Sequence, residues 1–399
     1  MIYLIISTVF CIGGLLIIHW VHNQYQMDIV VELAPPPHDA PLISVCIPAR
    51  NEERNIRACV EAVLAQDFPH IEVIVLDDRS SDATAEILGK LTLESDSKLS
   101  RQTREQAPVL QIISGSDLPK GWAGKPHALL QASAAARGEW LCFVDADTFL
   151  TPATLSSCYA KALETQADMF TIMTFQILGS FWEKTVMPLV MTALSVGFSP
   201  RKVNDPHRKD AIANGQFILI KRSVYAAIGG HQSVKDNIVE DKAISQQVKR
   251  NGYRLIVADG MKLVRTRMYT SLPEIWEGWT KNIYLGLRDE PALMFLGIFG
   301  AFLTVVATFF LPAWPLLGSY WYLNQGGWMA MTVLIESLIL WLYLLYARAQ
   351  IAIKMEISSV YAFTTPLGAA VFGAMMFSSA WKVLTRKGVT WKGRSYQAG

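Results

Sequence analysis

The chain has 399 residues, 36 Lys and Arg against 34 Asp and Glu, and a formal net charge of +2. That balance excludes a nucleic-acid binder relying on bulk positive potential. Apolar residues make up 51% and the mean hydropathy is +0.26, which is too apolar for an ordinary soluble chain and points to membrane segments. The five cysteines (Cys11, Cys46, Cys59, Cys142 and Cys158) form no CxxC pair. They read as reduced thiols within apolar runs and argue against structural zinc.

In chain order, Met1 to about Trp20 is uncharged over the length a bilayer core requires. It has no basic n-region and no small-x-small cleavage site, so it reads as a retained anchor rather than a signal peptide. Residues 1–21 are therefore the expected anchor and 22–41 a linker, in which "APPPHDAP" is stiff and extended. Residues 42–290 follow as an α/β domain.

That domain alternates strand and helix patterns. "ISVCIP" (43–48) is a strand, followed by a helical pattern from Glu53 to Gln66. "IEVIVLDD" (71–78) is a second strand, and "SSDATAEILGKL" opens a helix with N-cap residues. "ESDSKLSRQTREQAP" (94–108) is polar and reads as a surface loop. "VLQIIS" (109–114) is a third strand, "KPHALLQASAAA" (125–136) a helix and "EWLCFVDAD" (139–147) a fourth strand. This order predicts a mainly parallel sheet with helices on both faces. Ligands of such sheets bind beyond the carboxyl ends of the strands, where the acids at 77–78 and 145–147 fall.

The stretch 180–198 is apolar but broken by Glu183, Lys184 and Pro188. It fits a core helix or a helix lying in the membrane interface. Residues 291–385 hold about three further membrane segments: Leu293–Gly318, Trp328–Ala347 and Val360–Leu384. The tail, 386–399, is basic. If every segment spans, that tail lies opposite the α/β domain, against the preference of basic residues for the cytoplasm. A re-entrant hairpin around Thr364–Gly373 resolves the conflict, because broken backbone is tolerated where protein covers it. A tail outside the cytoplasm is the alternative.

Five clusters could carry chemistry. Asp145 and Asp147 bring two like charges to the end of an apolar strand. A hard cation, Mg2+ or Mn2+, compensates them and accepts diphosphate oxygens as well; otherwise they form a solvated turn with Asp147 capping the next helix. Asp77 and Asp78 suit ribose hydroxyls or a base edge, while Ser80, Ser81 and Asp82 suit N-capping. "GWAGKPHAL" (121–129) puts Lys125 at a helix start, a place for a phosphate, although the Walker A spacing is missing and an ordinary surface lysine would look the same. Glu240 and Asp241 open an amphipathic helix, either as helix-dipole partners or as a general base. Residues 264–286 are rich in Trp, Arg and Lys. Trp276 suits an interfacial belt, and Trp279, Lys281 and Asn282 suit a site lining.

"ISVCIPARNEERNI", "VLDDRSSDAT", "GWAGKPHAL", "FVDAD" and "VED" stand in the order seen in glycosyltransferase family 2, which residues 43–290 resemble. The resemblance implies a GT-A fold, a Rossmann-like mixed and mainly parallel sheet, with transmembrane helices before and after it. It implies an inverting enzyme that moves a hexose from a nucleotide sugar, UDP-linked by preference, to a membrane lipid on the cytoplasmic face of a bacterial cell membrane. Pro48, Ala49, Arg50, Asn51 and Glu52 would lie against the nucleotide with Asp77 and Asp78, and Lys125, Asp145 and Glu240 would complete the donor site. Asp147 and Asp145 would hold the metal, and Asp241 would be the catalytic base. "VTWKGRSY" (389–396) is similar to the tail of lipid-modifying members, so the acceptor class spans carotenoid, hopanoid, glycerolipid and sphingolipid. The (Q/R)xxRW motif of processive polysaccharide synthases and of ceramide glucosyltransferases has no match in "EGWTKN", which argues against polymer synthesis and for non-processive transfer. The other readings are a membrane-bound nucleotidyltransferase and an inactive scaffold of the same fold. The nucleotidyltransferase would have no need of a base at 241, and the scaffold is at odds with three intact acidic centres.

Overall fold

The computed structural model describes residues 2–24, 27–98, 109–287 and, with short breaks, 313–396; between 288 and 312 it describes only Phe295, Phe299, Phe302, Val306 and Phe310. The chain divides into two compact units. One holds Met27–Ile177 and Phe198–Met268, and the other Met1–Gln26, Leu178–Gly197 and Tyr269–Gly399.

The first unit is built on a seven-stranded sheet. Its strands are β1 (Ile43–Ala49), β2 (Ile71–Asp77), β3 (Val109–Ser114), β4 (Trp140–Phe143), β6 (Met169–Met173), β8 (Ile218–Lys221) and β9 (Leu255–Asp259). Their order is β3-β2-β1-β4-β8-β6-β9. β8 runs antiparallel to both neighbours and the other pairings are parallel, the mixed, mainly parallel sheet expected. Alternate side chains feed two cores. Ile43, Val45, Ile47, Val73 and Val75 face one, and Cys46, Ile74, Leu76, Leu141 and Phe143 the other. Helices α2 (Ile56–Leu64), α3 (Thr84–Lys98), α4 (Gly124–Ala135), α5 (Thr154–Glu164), α7 (Pro200–Asn204), α8 (Arg222–Ala227) and α9 (Glu240–Arg250) complete the layers.

Three boundaries differ from the expected ones. α2 starts at Ile56, because Arg50–Glu53 are taken up by a loop described below. α3 runs on to Lys98, so residues 94–98 are helix and the rest of that expected loop lies outside the described residues. β4 ends at Phe143 rather than Asp147. There the Thr148 N–H donates to the Asp145 carbonyl at 3.1 Å. The turn feeds β5 (Thr148–Leu150), which joins β10 (Val264–Thr266) and β7 (Phe175–Gln176) in a small separate sheet.

The second unit is helical. α1 (Ile2–Asn23) lies along α11 (Gly327–Lys354), and α6 (Phe181–Gly197) and α10 (Leu272–Leu287) lie against α12 (Thr365–Leu384). Among the described residues three helices, Leu4–Asn23, Gly327–Lys354 and Ser359–Leu384, are long and apolar enough to cross a membrane. Much of the expected segment Leu293–Gly318 lies outside the described residues. The backbone break expected around Thr364–Gly373 is absent. A 3-10 turn over Ser359–Thr364 leads straight into α12, with Pro366 in the first turn, where its missing N–H costs no helical bond. The glycine at 368 serves close packing, since a Cβ there would sit 2.3 Å from the Thr185 carbonyl of α6.

Glu183 starts α6 by a reciprocal cap. Its carboxylate accepts from Ser180 N–H at 2.5 Å and its own N–H donates to Ser180 Oγ at 3.3 Å. α1 and α11 share a polar clasp: Ser7 Oγ and Thr8 Oγ1 each donate to Glu336 at 2.6 Å. The tail strands β11 (Val389–Trp391) and β12 (Arg394–Tyr396) pair antiparallel.

Candidate active site

The carboxyl ends of β1, β2 and β4 meet along one sheet edge, with Ala49 opposite Asp77 and Cys46 opposite Phe143. Two loops zip together there. Arg50 Nη1 donates to the Asp78 carbonyl at 2.6 Å, Asn51 Oδ1 accepts from Ser81 N–H at 2.8 Å and Glu52 N–H donates to Thr84 Oγ1 at 2.8 Å. Asn51 has φ 53° and Arg79 φ 57°, a left-handed conformation that asparagine tolerates better than most residues. Asp77 braces this turn from below, its Oδ1 accepting from Ser80 N–H at 3.1 Å and Ser80 Oγ at 2.5 Å. Asp78 is buried, and its N–H donates to the Ala49 carbonyl at 2.7 Å.

Beyond β4 the charges converge. Lys125, in the first turn of α4, places Nζ 2.6 Å from Asp145 Oδ1 and 2.7 Å from Glu240 Oε1. The Lys125 and Asp145 side chains are 34% and 26% exposed while Glu240 is 5% exposed, so the cluster is open on one side. The Asp241 carboxylate is held by two main-chain donors, Lys242 N–H on Oδ1 at 2.7 Å and Gly215 N–H on Oδ2 at 3.0 Å.

Three carboxylates around one ammonium shift one another. Burial raises Glu240 to about 7; Lys125 opposes that rise, and Asp241 and Asp145 add to it. Asp241 is also raised, first by burial, against the pull of Lys125 and its two N–H donors. Burial alone would push Lys125 down, but Asp145, Glu240 and Asp241 outweigh it and hold the ammonium charged well above the usual lysine range. His231, buried beside Tyr225, is pushed down to about 3 by burial and then by Lys125. Its Nδ1 lies 2.8 Å from Tyr225 OH, which in turn lies 3.0 Å from Ser133 Oγ. Ser133 gives its proton to the Leu130 carbonyl. Tyr225 OH also accepts from the His231 main-chain N–H at 3.1 Å, so the three side chains form one buried polar chain.

Asp147 sits in the turn after β4, its carbonyl accepting from Thr266 Oγ1 at 3.0 Å. It does not cap α5, whose N-cap is Ala153 with no side-chain bond. Among the described residues no group of three or more His, Cys, Asp or Glu has the arrangement of a metal cage. The donors on offer are the hard oxygens of Asp145 and Asp147. That set fits an ion such as Mg2+ or Mn2+, which takes one or two carboxylates and completes its shell with phosphate and water. Trp279, Lys281 and Asn282 lie on α10 in the helical unit, the first two buried.

Gly215 and its neighbours Asn214 and Gln216 went unnoticed in the sequence, where Asn-Gly before an apolar run signals only a turn. They reach the site because β8 is reversed. Ile218 faces Phe143, so the residues leading into β8 lie at the edge where β4 ends.

A mainly parallel sheet with one reversed strand and acids at its carboxyl edge places the chain among proteins of the GT-A fold. A mannosyltransferase from Pyrobaculum calidifontis, solved with GDP-mannose and Mn2+, shares that fold at a TM-score of 0.54 and 19% identity, over 96% of this chain and 98% of that one. The 4,4'-diaponeurosporenoate glycosyltransferase of Staphylococcus aureus is 26% identical over 363 residues, 89% of this chain and 88% of that protein. The same enzyme from a second strain is 27% identical over 366 residues, with the same coverage of each chain. Residues 44–229 match the family model for glycosyl transferase family 2. Those residues are similar to family 2 domains, and the protein is a glycosyltransferase.

Proposed function

We propose that the protein transfers a hexose from a nucleotide sugar, UDP-linked by preference, to a membrane lipid on the cytoplasmic face, once per acceptor and with inversion. The observation that carries this reading is the Asp241 carboxylate, pinned by two main-chain N–H groups beside the Lys125–Asp145–Glu240 cluster. A carboxylate so oriented suits removal of a proton from an attacking hydroxyl. The acceptor oxygen then bonds to the anomeric carbon as the bond to the β-phosphate oxygen breaks. The electron pair leaves with the nucleoside diphosphate, and an α-linked donor gives a β-glycoside.

Pro48–Glu52, Asp77 and Asp78 would take the nucleoside. Asp77 would act through the turn it braces. Lys125 has three N–H bonds and gives two to Asp145 and Glu240, which leaves one for a phosphate oxygen. Asp145 and Asp147 would hold the divalent ion, which when bound supplies positive charge against the departing diphosphate. Within the helical unit, Trp279, Lys281 and Asn282 are the candidates for contact with the lipid. The lipid class is supported by the three apolar helices and by the carotenoid-related acceptor named for the Staphylococcus aureus relative.

The test is purified protein in detergent with Mg2+ or Mn2+, radiolabelled nucleotide sugars and a membrane-lipid extract. The expected outcome is a labelled lipid and a released nucleoside diphosphate. Pyrophosphate release would instead indicate nucleotidyl transfer, and silence with every donor would indicate a scaffold.

A further inference from the structure

A Cβ built on Gly215 would lie 3.0 Å from Lys125 Nζ, 3.2 Å from Asp241 Oδ2 and 3.6 Å from Asp145 Oδ2. Gly215 is not among the glycines with left-handed backbone, so the position calls for a glycine because of space. Any larger residue would push the ammonium and the carboxylate apart by tenths of an ångström.

Both neighbours of Gly215 are tied into a buried polar truss. Asn214 N–H donates to Thr171 Oγ1 at 3.1 Å, and Thr171 Oγ1 donates to the Phe217 carbonyl at 2.8 Å. Asn214 Nδ2 donates to the Ile172 carbonyl at 3.1 Å and to Thr174 Oγ1 at 3.2 Å. Gln216 Oε1 accepts from Thr174 Oγ1 and, at 3.1 Å, from Gln176 Nε2. Thr171, Thr174 and Gln216 are all buried. Polar groups this deeply buried are costly unless satisfied, and satisfied networks make a segment rigid. Here the rigid segment presents one N–H to the Asp241 carboxylate.

We propose that Gly215 is a positioning residue for sugar transfer. Its main-chain N–H, held by the Asn214–Gln216 truss, fixes the plane of the Asp241 carboxylate together with Lys242 N–H. Each oxygen then keeps one lone pair in a set direction for the acceptor proton. This inference rests on the reading of Asp241 as the base. A small misplacement of a reacting group lowers the rate of the chemical step while leaving ground-state binding intact.

The experiment compares wild type, Gly215→Ala, Thr174→Val and Asp241→Asn in detergent. It measures transfer from the UDP-sugar that the wild type uses, and UDP binding by calorimetry with Mg2+. Gly215→Ala is expected to lower kcat by about tenfold or more, and to weaken UDP binding as well because its Cβ crowds Lys125 Nζ. Thr174→Val loosens the truss without touching the cluster and should lower kcat by a smaller factor, with donor KM and the UDP Kd within about twofold. It carries the test alone if Gly215→Ala fails to fold. Unchanged kcat in the folded variants, or a KM in Thr174→Val that rises in step with its loss of kcat, overturns the proposal. An active Asp241→Asn would remove the base reading itself. A dead Asp241→Asn beside normal Gly215→Ala and Thr174→Val would remove only the positioning role.

Discussion

The Lys125 ammonium and the Glu240 carboxylate stand 2.7 Å apart, and the same nitrogen reaches Asp145 at 2.6 Å. One cation thus ties the first turn of α4 to the turn after β4 and the first turn of α9. Lys125→Met would leave Glu240 buried beside two other acids with no partner. The expected loss is about 1–3 kcal/mol, less than for a fully buried pair because Lys125 is partly exposed. Denaturant unfolding of the detergent-solubilised protein measures it, and an unchanged midpoint would mean the ion pair adds nothing.

Asp241→Asn keeps the shape of the side chain and removes its basicity. Transfer is expected to fall by about 10²–10⁴, with nucleotide binding within a fewfold of wild type. A loss of binding equal to the loss of rate would place Asp241 in the donor site instead.

Glu240 titrates near 7 when folded, against about 4.3 in an unfolded chain. The folded state holds this proton more tightly, so the contribution is fully present below about pH 4.3 and is lost as pH rises through 7. Melting temperature should therefore fall between pH 5 and 8 in wild type. In Glu240→Gln that part of the slope should disappear; an equal slope in both proteins contradicts the assignment.

Removal of divalent ions with EDTA is expected to abolish transfer, and added Mg2+ or Mn2+ to restore it. Asp147→Ala should raise the metal concentration needed for donor binding by about tenfold or more, within the range seen when metal-site groups are lost. If its metal dependence matches wild type, Asp147 is no ligand.

In the helical unit, a Cβ on Gly14 would lie 2.8 Å from Leu340 Cδ1. Gly14→Cys with Leu340→Cys should cross-link readily on oxidation. Glu336→Leu removes the acceptor for Ser7 and Thr8 and should lower that yield, since interhelical hydrogen bonds in a membrane contribute about 0.6–2 kcal/mol. Full cross-linking in both backgrounds would show that packing alone holds α1.

Much of the sheet was legible because its strands are short apolar runs with acids at their ends. "IEVIVLDD" and "VLQIIS" became β2 and β3 with little change. The end of β4 was misjudged because Val144 and Ala146 continue the apolar pattern, and only the hydrogen bond from Thr148 to Asp145 turns the chain. The helix break expected near Pro366 failed because proline is destructive inside a helix and harmless in its first turn, and the sequence does not say where that turn begins. Asp77 was legible as an acid at a strand end, but the engagement of its carboxylate by Ser80 was not.

By itself the sequence determined which residues carry charge at the ends of apolar elements, because burial periodicity and chain order are local properties. Lys125, Asp145, Glu240 and Asp241 could be read that way one at a time. Only the tertiary structure decided that a single ammonium serves Asp145 and Glu240, and that Gly215 closes the cluster from behind Asp241. The second fact follows from one reversed strand. β8 brings its leading residues to the edge where the parallel strands end, and strand direction within a sheet is set by long-range pairing, which no local pattern encodes.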